Sequence, residues 1–200
     1  FQDSLIVEVG DDEGTLMAFD KRSGKRLWVS ECKDEAGHTG GLAPITVAGV
    51  PSVAVLTLRQ LVVVRLDRGQ AGKTIAQHPW TTDYGNNIAT PAVYRNNVVI
   101  TSAYNHFAMC RLKITLSGAT TVWERPITSG VCSPVIHRGN IYWAWQGIHC
   151  VDFETGERKW TGRKVGAPGS CIVTADDRLI VWADKGDLLL AETAERSPQR

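Results

Sequence analysis

The chain has 200 residues, 43% of them hydrophobic and 22% charged, a composition that is typical of a folded globular domain and excludes a disordered chain. Its net charge of +1 and its scattered Lys and Arg residues exclude a protein that wraps nucleic acid. The most apolar stretch, residues 53–66, is broken by Arg59, Gln60 and Arg65. Since a spanning helix needs roughly 20 apolar residues, we expect no membrane span in this segment.

The five cysteines form neither adjacent pairs nor a CxxC motif, which argues against a zinc site and a dense disulfide framework. We expect them to be small apolar residues inside strands. They are Cys32, Cys110, Cys132, Cys150 and Cys171.

A tryptophan closes a short strand three times, and the next apolar strand follows at a constant distance. The landmark pairs, each 11 residues apart, are Trp80 with Pro91, Trp123 with Pro134, and Trp160 with Cys171. The intervals between successive tryptophans differ, so the local register is kept while the loops vary in length. This pattern indicates one supersecondary unit that is used repeatedly.

Each unit contains four short strands separated by turn residues. In the third unit we expect strands over residues 89–94, 97–101, 107–114 and 120–124. Asn, Asp and Gly in the first link of the later units suit the left-handed backbone of tight hairpins, and Ser-Gly or Thr-Gly pairs serve the last link in several units. Because β-branched residues dominate and few segments have a helical period, the units are predicted to be all-β.

Four-stranded antiparallel units of about 40 residues in tandem are typical of β-propeller blades. We therefore predict an open arc of about four to five blades from a seven- or eight-bladed ring. The expected blades span residues 1–31 (partial), 41–83, 86–127, 131–164 and 169–194 (partial). Since both ends fall inside a blade and the first residue is Phe1, we expect a longer protein whose remaining blades close the ring.

Two segments carry a motif in the turn that precedes the fourth strand. Residues 18–28 read AFDKRSGKRLW and residues 151–160 read VDFETGERKW. Both resemble the Ala-x-Asp-x-x-Thr-Gly-Lys-x-x-Trp docking motif of pyrroloquinoline-quinone (PQQ) type, or quinoprotein-like, propeller repeats. In that family the Trp of one blade stacks on the motif of the next. The resemblance therefore implies that Trp28, Trp123 and Trp160 join blades and are largely buried.

The resemblance assigns blade-docking roles to Asp20, Gly24, Trp28, Trp80, Trp123, Asp152, Gly156 and Trp160. The second unit is expected to keep Asp67, Gly72 and Trp80 with an insertion between them. The third has no Asp near Lys113. These two joints are expected to be looser or differently capped.

The resemblance implies a repeat and not one activity. PQQ-type propellers include quinoprotein dehydrogenases and also non-enzymatic exported bacterial proteins, among them a lipoprotein that helps to assemble outer-membrane proteins. We expect the second kind: a periplasmic or otherwise exported scaffold that binds a protein, a peptide or a carbohydrate and needs no cofactor or metal.

The alternative is a fragment of a dehydrogenase that uses PQQ and Ca²⁺ as cofactors. Such enzymes typically have two adjacent cysteines at the cofactor, and no two cysteines are adjacent in this chain. The alternative therefore depends on blades outside this segment.

In propellers, the loops between blades and the loops between the second and third strands gather on one face, where function usually lies. Here those loops are polar and aromatic, which suits recognition of a peptide or a sugar. No catalytic residue is predicted, and the acidic run of residues 11–13 is interpreted as an ordinary turn. The binding-face candidates are His38, Tyr84, Asn86, Asn87, Tyr104 and His106, with Thr39 beside His38.

Overall fold

A computed structural model describes residues 1–38, 40–183 and 185–193 of the chain. The strands in this part of the chain form five antiparallel sheets, and within each sheet every strand pairs with its neighbours in sequence. The predicted all-β arc of propeller blades is confirmed. Thr39 and residue 194, the last residue of the expected fifth blade, lie outside the described residues.

The first and fifth sheets have three strands each, and the other three have four. The first comprises β1 (Ser4–Asp11), β2 (Gly14–Asp20) and β3 (Arg26–Val29). The second comprises β4 (Ala43–Val47), β5 (Val50–Leu56), β6 (Gln60–Arg65) and β7 (Thr74–Pro79). The third comprises β8 (Ala92–Tyr94), β9 (Asn97–Ser102), β10 (Ala108–Thr115) and β11 (Gly118–Arg125). The fourth comprises β12 (Val135–His137), β13 (Asn140–Ala144), β14 (Ile148–Asp152) and β15 (Arg158–Thr161). The fifth comprises β16 (Gly169–Val173), β17 (Arg178–Ala183) and β18 (Leu188–Glu192).

Tight left-handed turns close the hairpins between the first two strands of the second and fourth sheets. The angle φ is 48° at Ala48 and 81° at Gly49, and it is 45° at Arg138 and 74° at Gly139. Two successive residues with positive φ match the right-handed twist of the flanking strands. These short links fix the register of the strand pairs.

Since neighbouring strands are antiparallel, their connections lie at two opposite ends of the sheets. We call the end that holds the links β2–β3, β4–β5, β6–β7, β8–β9 and β10–β11 the turn end. The loop end holds the connections between sheets and the links β1–β2, β5–β6, β9–β10, β13–β14 and β17–β18.

The apolar cores lie at the seams between neighbouring sheets. Central strands such as β6 and β9 are buried on both faces, because the second and third sheets each pack between two others. All five cysteines are free and buried, and burial raises the pKa of Cys110 and Cys171 to about 12. They therefore act as small apolar core residues, as expected from the sequence.

Candidate binding surface and blade-docking residues

Trp123 joins the third sheet to the fourth. Its indole Nε1 donates a hydrogen bond to the carbonyl oxygen of Phe153 at 3.0 Å, and the side chain is buried. A Cβ atom on Gly156 would lie only 2.9 Å from the indole ring, so only glycine leaves room for the tryptophan. The ring of one sheet therefore packs on the turn of the next.

Trp28 makes the equivalent contact at the first seam. A Cβ atom on Gly72 would lie 3.3 Å from its ring and 2.7 Å from the carbonyl oxygen of Val29. Trp28 is only partly buried, in contrast to the sequence prediction. It lies on the outermost strand of the first sheet, where the second sheet covers one side of it.

Asp20 and Asp152 hold the turns of the docking motif. Oδ1 of Asp152 accepts hydrogen bonds from the N–H groups of Glu154 and Thr155, both at 2.9 Å. Asp20 accepts the same two bonds from the residues that follow it, and these bonds lower its pKa. Gly24 and Gly156 close the two turns with φ of 70° and 71°.

Arg65 takes the place of the motif aspartate in the second sheet. In the first sheet the N–H of Gly24 donates to Asp20 O at 2.9 Å, whereas in the second the N–H of Gly72 donates to Arg65 O at 3.0 Å. Asp67 instead lies inside the turn. The prediction that Asp67 occupies the motif position of Asp20 is therefore wrong by two residues.

The carboxylate of Asp67 nevertheless contributes to this turn. Its two oxygens accept hydrogen bonds from Arg65 at 2.8 and 2.7 Å. This bidentate pair replaces the bonds that an aspartate would make to the turn N–H groups.

Trp80 and Trp160 are buried in the seams that follow their own sheets. Trp80 packs with Ile100 and Leu112 of the third sheet, and Trp160 packs with Leu179 of the fifth. All four predicted tryptophans thus contact the sheet that follows their own.

Asn87 is fully buried and does not belong to the binding face. Its Nδ2 lies 2.8 Å from the carbonyl oxygen of Thr57, 2.9 Å from that of Trp80 and 3.1 Å from that of Leu58. The two N–H groups of this amide are thus shared among three backbone carbonyls in the interior, which commits the side chain to the structure. The sequence interpretation of Asn87 as a binding residue is corrected accordingly.

The remaining candidates come from loops that contact one another at the loop end. Nδ1 of His38 lies 3.2 Å from the carbonyl oxygen of Gly85. The N–H of Asp83 donates to Oδ1 of Asn105 at 2.6 Å, which ties the short 3₁₀ turn at Asp83–Gly85 to the β9–β10 link. Asn86 is partly buried and donates from Nδ2 to Asp83 O at 3.1 Å.

Two tyrosines project from these loops with strained backbones. Tyr84 is 91% exposed and has φ of 58°, while Tyr104 is 54% exposed and has φ of 69°. Bulky residues rarely adopt the left-handed region, and such strain often occurs at functional sites. Phe107 is 56% exposed beside them, although the sequence placed it inside a strand. We define His38, Tyr84, Tyr104, His106 and Phe107 as the loop surface.

His106 connects the loop surface to the seam beneath it. Its ring lies 4.0 Å from the ring of Trp80, and its Nε2 lies 3.4 Å from Oε1 of Glu124. Nearby His78 is partly desolvated, which lowers its pKa despite the opposing field of Glu124. The arrangement fixes the His106 ring on a buried indole.

A second polar site occupies the loop end between the first two sheets. The buried carboxylate of Asp34 accepts hydrogen bonds from Thr57 Oγ1 at 2.6 Å and from the Arg59 guanidinium at 2.6 Å. Asp11 accepts a bond from the N–H of Glu13 at 2.8 Å within its own turn. Among the described residues, no group of three or more His, Cys, Asp or Glu side chains is arranged to hold a metal ion.

The helical content of the structure was predicted to include no membrane span. Within residues 1–38, 40–183 and 185–193, no helix has the length and apolar character needed to span a membrane.

The sequence of this chain matches a known protein family. The sequence model of the family described as outer membrane protein assembly factor BamB matches residues 2–162. The curated proteins contain no match.

Two solved structures are similar in fold. BamB from Moraxella catarrhalis superposes with a TM-score of 0.62 and 18% identity over 98% of this chain and 56% of that one. The computationally designed Ika8 protein superposes with a TM-score of 0.64 and 13% identity over 94% of this chain and 55% of that one. The chain thus spans just over half of each structure, and at these identities the likeness concerns the fold alone.

Proposed function

Because this chain belongs to the family described as outer membrane protein assembly factor BamB, we propose that it is a non-catalytic scaffold that binds a protein through its loop surface. The proposal concerns the partner and the place of binding. It includes export to the bacterial envelope, where an outer-membrane assembly factor works, and it includes no PQQ or metal cofactor.

The observation that carries the proposal is the exposure of three aromatic side chains on loops that are held in place. Tyr84, Tyr104 and Phe107 present broad amphipathic or apolar faces to solvent. Aromatic residues are enriched in protein interfaces, because they bury a large area at low entropic cost. Exposed aromatic side chains on ordered loops, two of them tyrosines with strained backbones, therefore support a recognition surface.

The surface has a rigid base. Asn87 ties the loop of Tyr84 to the β5–β6 link, and Trp80 supports the His106 ring from below. A loop that is already ordered loses less entropy when it binds a partner. This ordered, exposed surface suits binding of a folded or extended polypeptide better than turnover of a small molecule.

The proposal can be tested with an unfolded outer-membrane β-barrel protein as the probe. The double variant Tyr84→Ser and Tyr104→Ser is expected to bind the labelled probe about 10-fold or more weakly in fluorescence anisotropy. Tyr94→Ser is the control for loss of a tyrosine at the opposite end, because Tyr94 lies at the turn end, where it is 37% exposed and packs edge-on against Phe153. Equal affinities for wild type and the double variant would contradict the location of the site.

A second experiment tests the absence of catalysis. The purified chain is titrated with PQQ and Ca²⁺ while quinone absorbance and dye-linked alcohol oxidation are followed. No uptake is expected. Stoichiometric uptake with turnover would overturn the scaffold proposal in favour of a dehydrogenase.

A further inference from the structure

The charges of the first three sheets are separated between the two ends. The turn-end links of these sheets hold six cations and one carboxylate, Asp67, in the segments 21–25, 48–49, 66–73, 95–96 and 116–117. The loop-end connections of the same sheets hold six carboxylates and two cations, Lys33 and Arg59, in the segments 12–13, 30–42, 57–59, 80–91 and 103–107. The turn end is therefore basic over the first three sheets, whereas the turn-end links of the fourth and fifth sheets hold four carboxylates and one cation, Arg138.

Most of these cations are free to meet an external partner. Five of them are exposed and have no ion pair with another described residue: Arg22, Lys25, Arg68, Lys73 and Arg95. Lys21 pairs with Asp3 at 2.8 Å, and Asp67 is already paired with Arg65. Like charges at the same end of neighbouring sheets repel one another, so an external anionic partner would relieve this repulsion.

Two apolar side chains lie among the cations. Leu116 is 51% exposed at the tip of the β10–β11 turn; Tyr94, beside Arg95, is 37% exposed and packs edge-on against the ring of Phe153 at 5.4 Å. Cations next to protruding apolar or aromatic residues are the combination that associates with the interface of an anionic bilayer. The cations come from the turns of three separate sheets and not from one concave pocket, which suits an extended surface.

We propose that the turn end of the first three sheets binds peripherally to the surface of an anionic phospholipid bilayer. Lys and Arg side chains contact the lipid phosphates, and Leu116 and Tyr94 lie at the headgroup level. Since the loop surface lies at the opposite end of the sheets, membrane contact leaves it open to a protein partner. The proposal rests on charge and exposure at the turn end and is independent of the proposed function of the loop surface.

The test measures co-sedimentation of the chain with vesicles of phosphatidylcholine alone and of phosphatidylcholine with phosphatidylglycerol. We expect binding only to the second kind and its loss at high salt. The triple variant Arg22→Gln, Lys25→Gln and Arg68→Gln is expected to reduce the partition coefficient about 100-fold. Each Lys or Arg near an anionic surface contributes a similar amount to the free energy of binding, and the three contributions add.

A matched control separates this site from general electrostatic attraction. Arg163→Gln, Lys164→Gln and Lys185→Gln remove the same charge from exposed positions at the loop end and are expected to leave binding unchanged. Leu116→Ser is expected to weaken binding while preserving the charge. Circular dichroism checks that each variant is folded.

Three outcomes would overturn the proposal. They are no binding to the anionic vesicles, equal losses in the two triple variants, and tighter binding to polyglutamate than to the vesicles. The last result would assign the basic end to an acidic protein partner.

Discussion

At the residue scale, Trp123 shows how much one side chain contributes to a seam. Trp123→Ala removes a buried indole and leaves the Phe153 carbonyl without that donor, so we expect the free energy of unfolding to fall by about 3–5 kcal/mol. Trp123→Phe keeps much of the packing and loses the N–H donor. The difference between the two variants in urea denaturation separates packing from hydrogen bonding.

The neighbouring Val122 provides the control for this series. It is 45% exposed on the same strand, and Val122→Ala is expected to change stability by no more than about 0.5 kcal/mol. A Trp123→Ala variant as stable as Val122→Ala would refute the docking role of the tryptophan.

Glu8 gives a pH-dependent prediction at the same scale. Burial raises its pKa from 4.5 to about 7; the N–H of Gly37, at 3.1 Å, opposes this shift and the carboxylate of Asp34 adds to it. A raised pKa means that the folded state keeps a proton that the unfolded chain releases. The stabilising contribution is therefore complete below the unfolded pKa and is lost as the pH rises through the folded value.

The variant Glu8→Gln removes this titration while keeping an acceptor for Gly37. Wild type is expected to lose stability relative to Glu8→Gln between pH 4.5 and about 7 in urea denaturation. Glu157→Gln, at an exposed carboxylate, is the control and should follow wild type. Parallel curves for wild type and Glu8→Gln would contradict the prediction.

At the scale of elements, the loop between β7 and β8 depends on Asn87. Asn87→Ala leaves the carbonyls of Thr57, Leu58 and Trp80 without this donor, and we expect a loss of about 2–3 kcal/mol in unfolding free energy. Hydrogen exchange should rise in residues 80–91 before it rises in the strands. Asn86→Ala, which removes one bond to Asp83, should have a smaller effect on both measurements.

The strands and the docking turns could be predicted from the sequence because their sequence signals are local. Alternating apolar residues, turn residues at tight links and the spacing from Asp152 through Gly156 to Trp160 all act within one hairpin. In the second sheet the docking turn could not be predicted from local spacing. The longer β6–β7 link moves Asp67 away from the motif position, and only backbone hydrogen bonds reveal Arg65 there.

The loop surface was harder to predict from the sequence, because the exposure of its residues depends on tertiary contacts. A loop asparagine is equally compatible with solvent and with a buried cap, and Asn87 is buried because β5–β6 and Trp80 supply three carbonyls. Phe107 has the residue type of a core strand position, yet β10 begins one residue later and leaves it exposed. Neither environment is encoded in neighbouring residues.

At the scale of the whole molecule, the first and last sheets each present an apolar face that no described residue covers. On the fifth sheet, Trp182 is 61% exposed and Leu188 is 72% exposed, with Leu190 beside them. The corresponding face of the fourth sheet, with Tyr142 and Cys150, is buried against the fifth. On the first sheet, Leu5 and Val9 are exposed in the same way.

These two faces predict head-to-tail self-association of the 200-residue chain, because they correspond to the two sides of an interior seam. Sedimentation velocity is expected to show species that grow with concentration. Leu5→Lys with Val9→Lys blocks one face, and Leu188→Lys with Leu190→Lys blocks the other, so each double variant alone should stay monomeric. Mixing the two variants leaves one intact face of each kind and should give a 1:1 dimer that does not extend. A wild-type chain that remains monomeric, or a mixture that forms no dimer, would show that the two faces are not complementary.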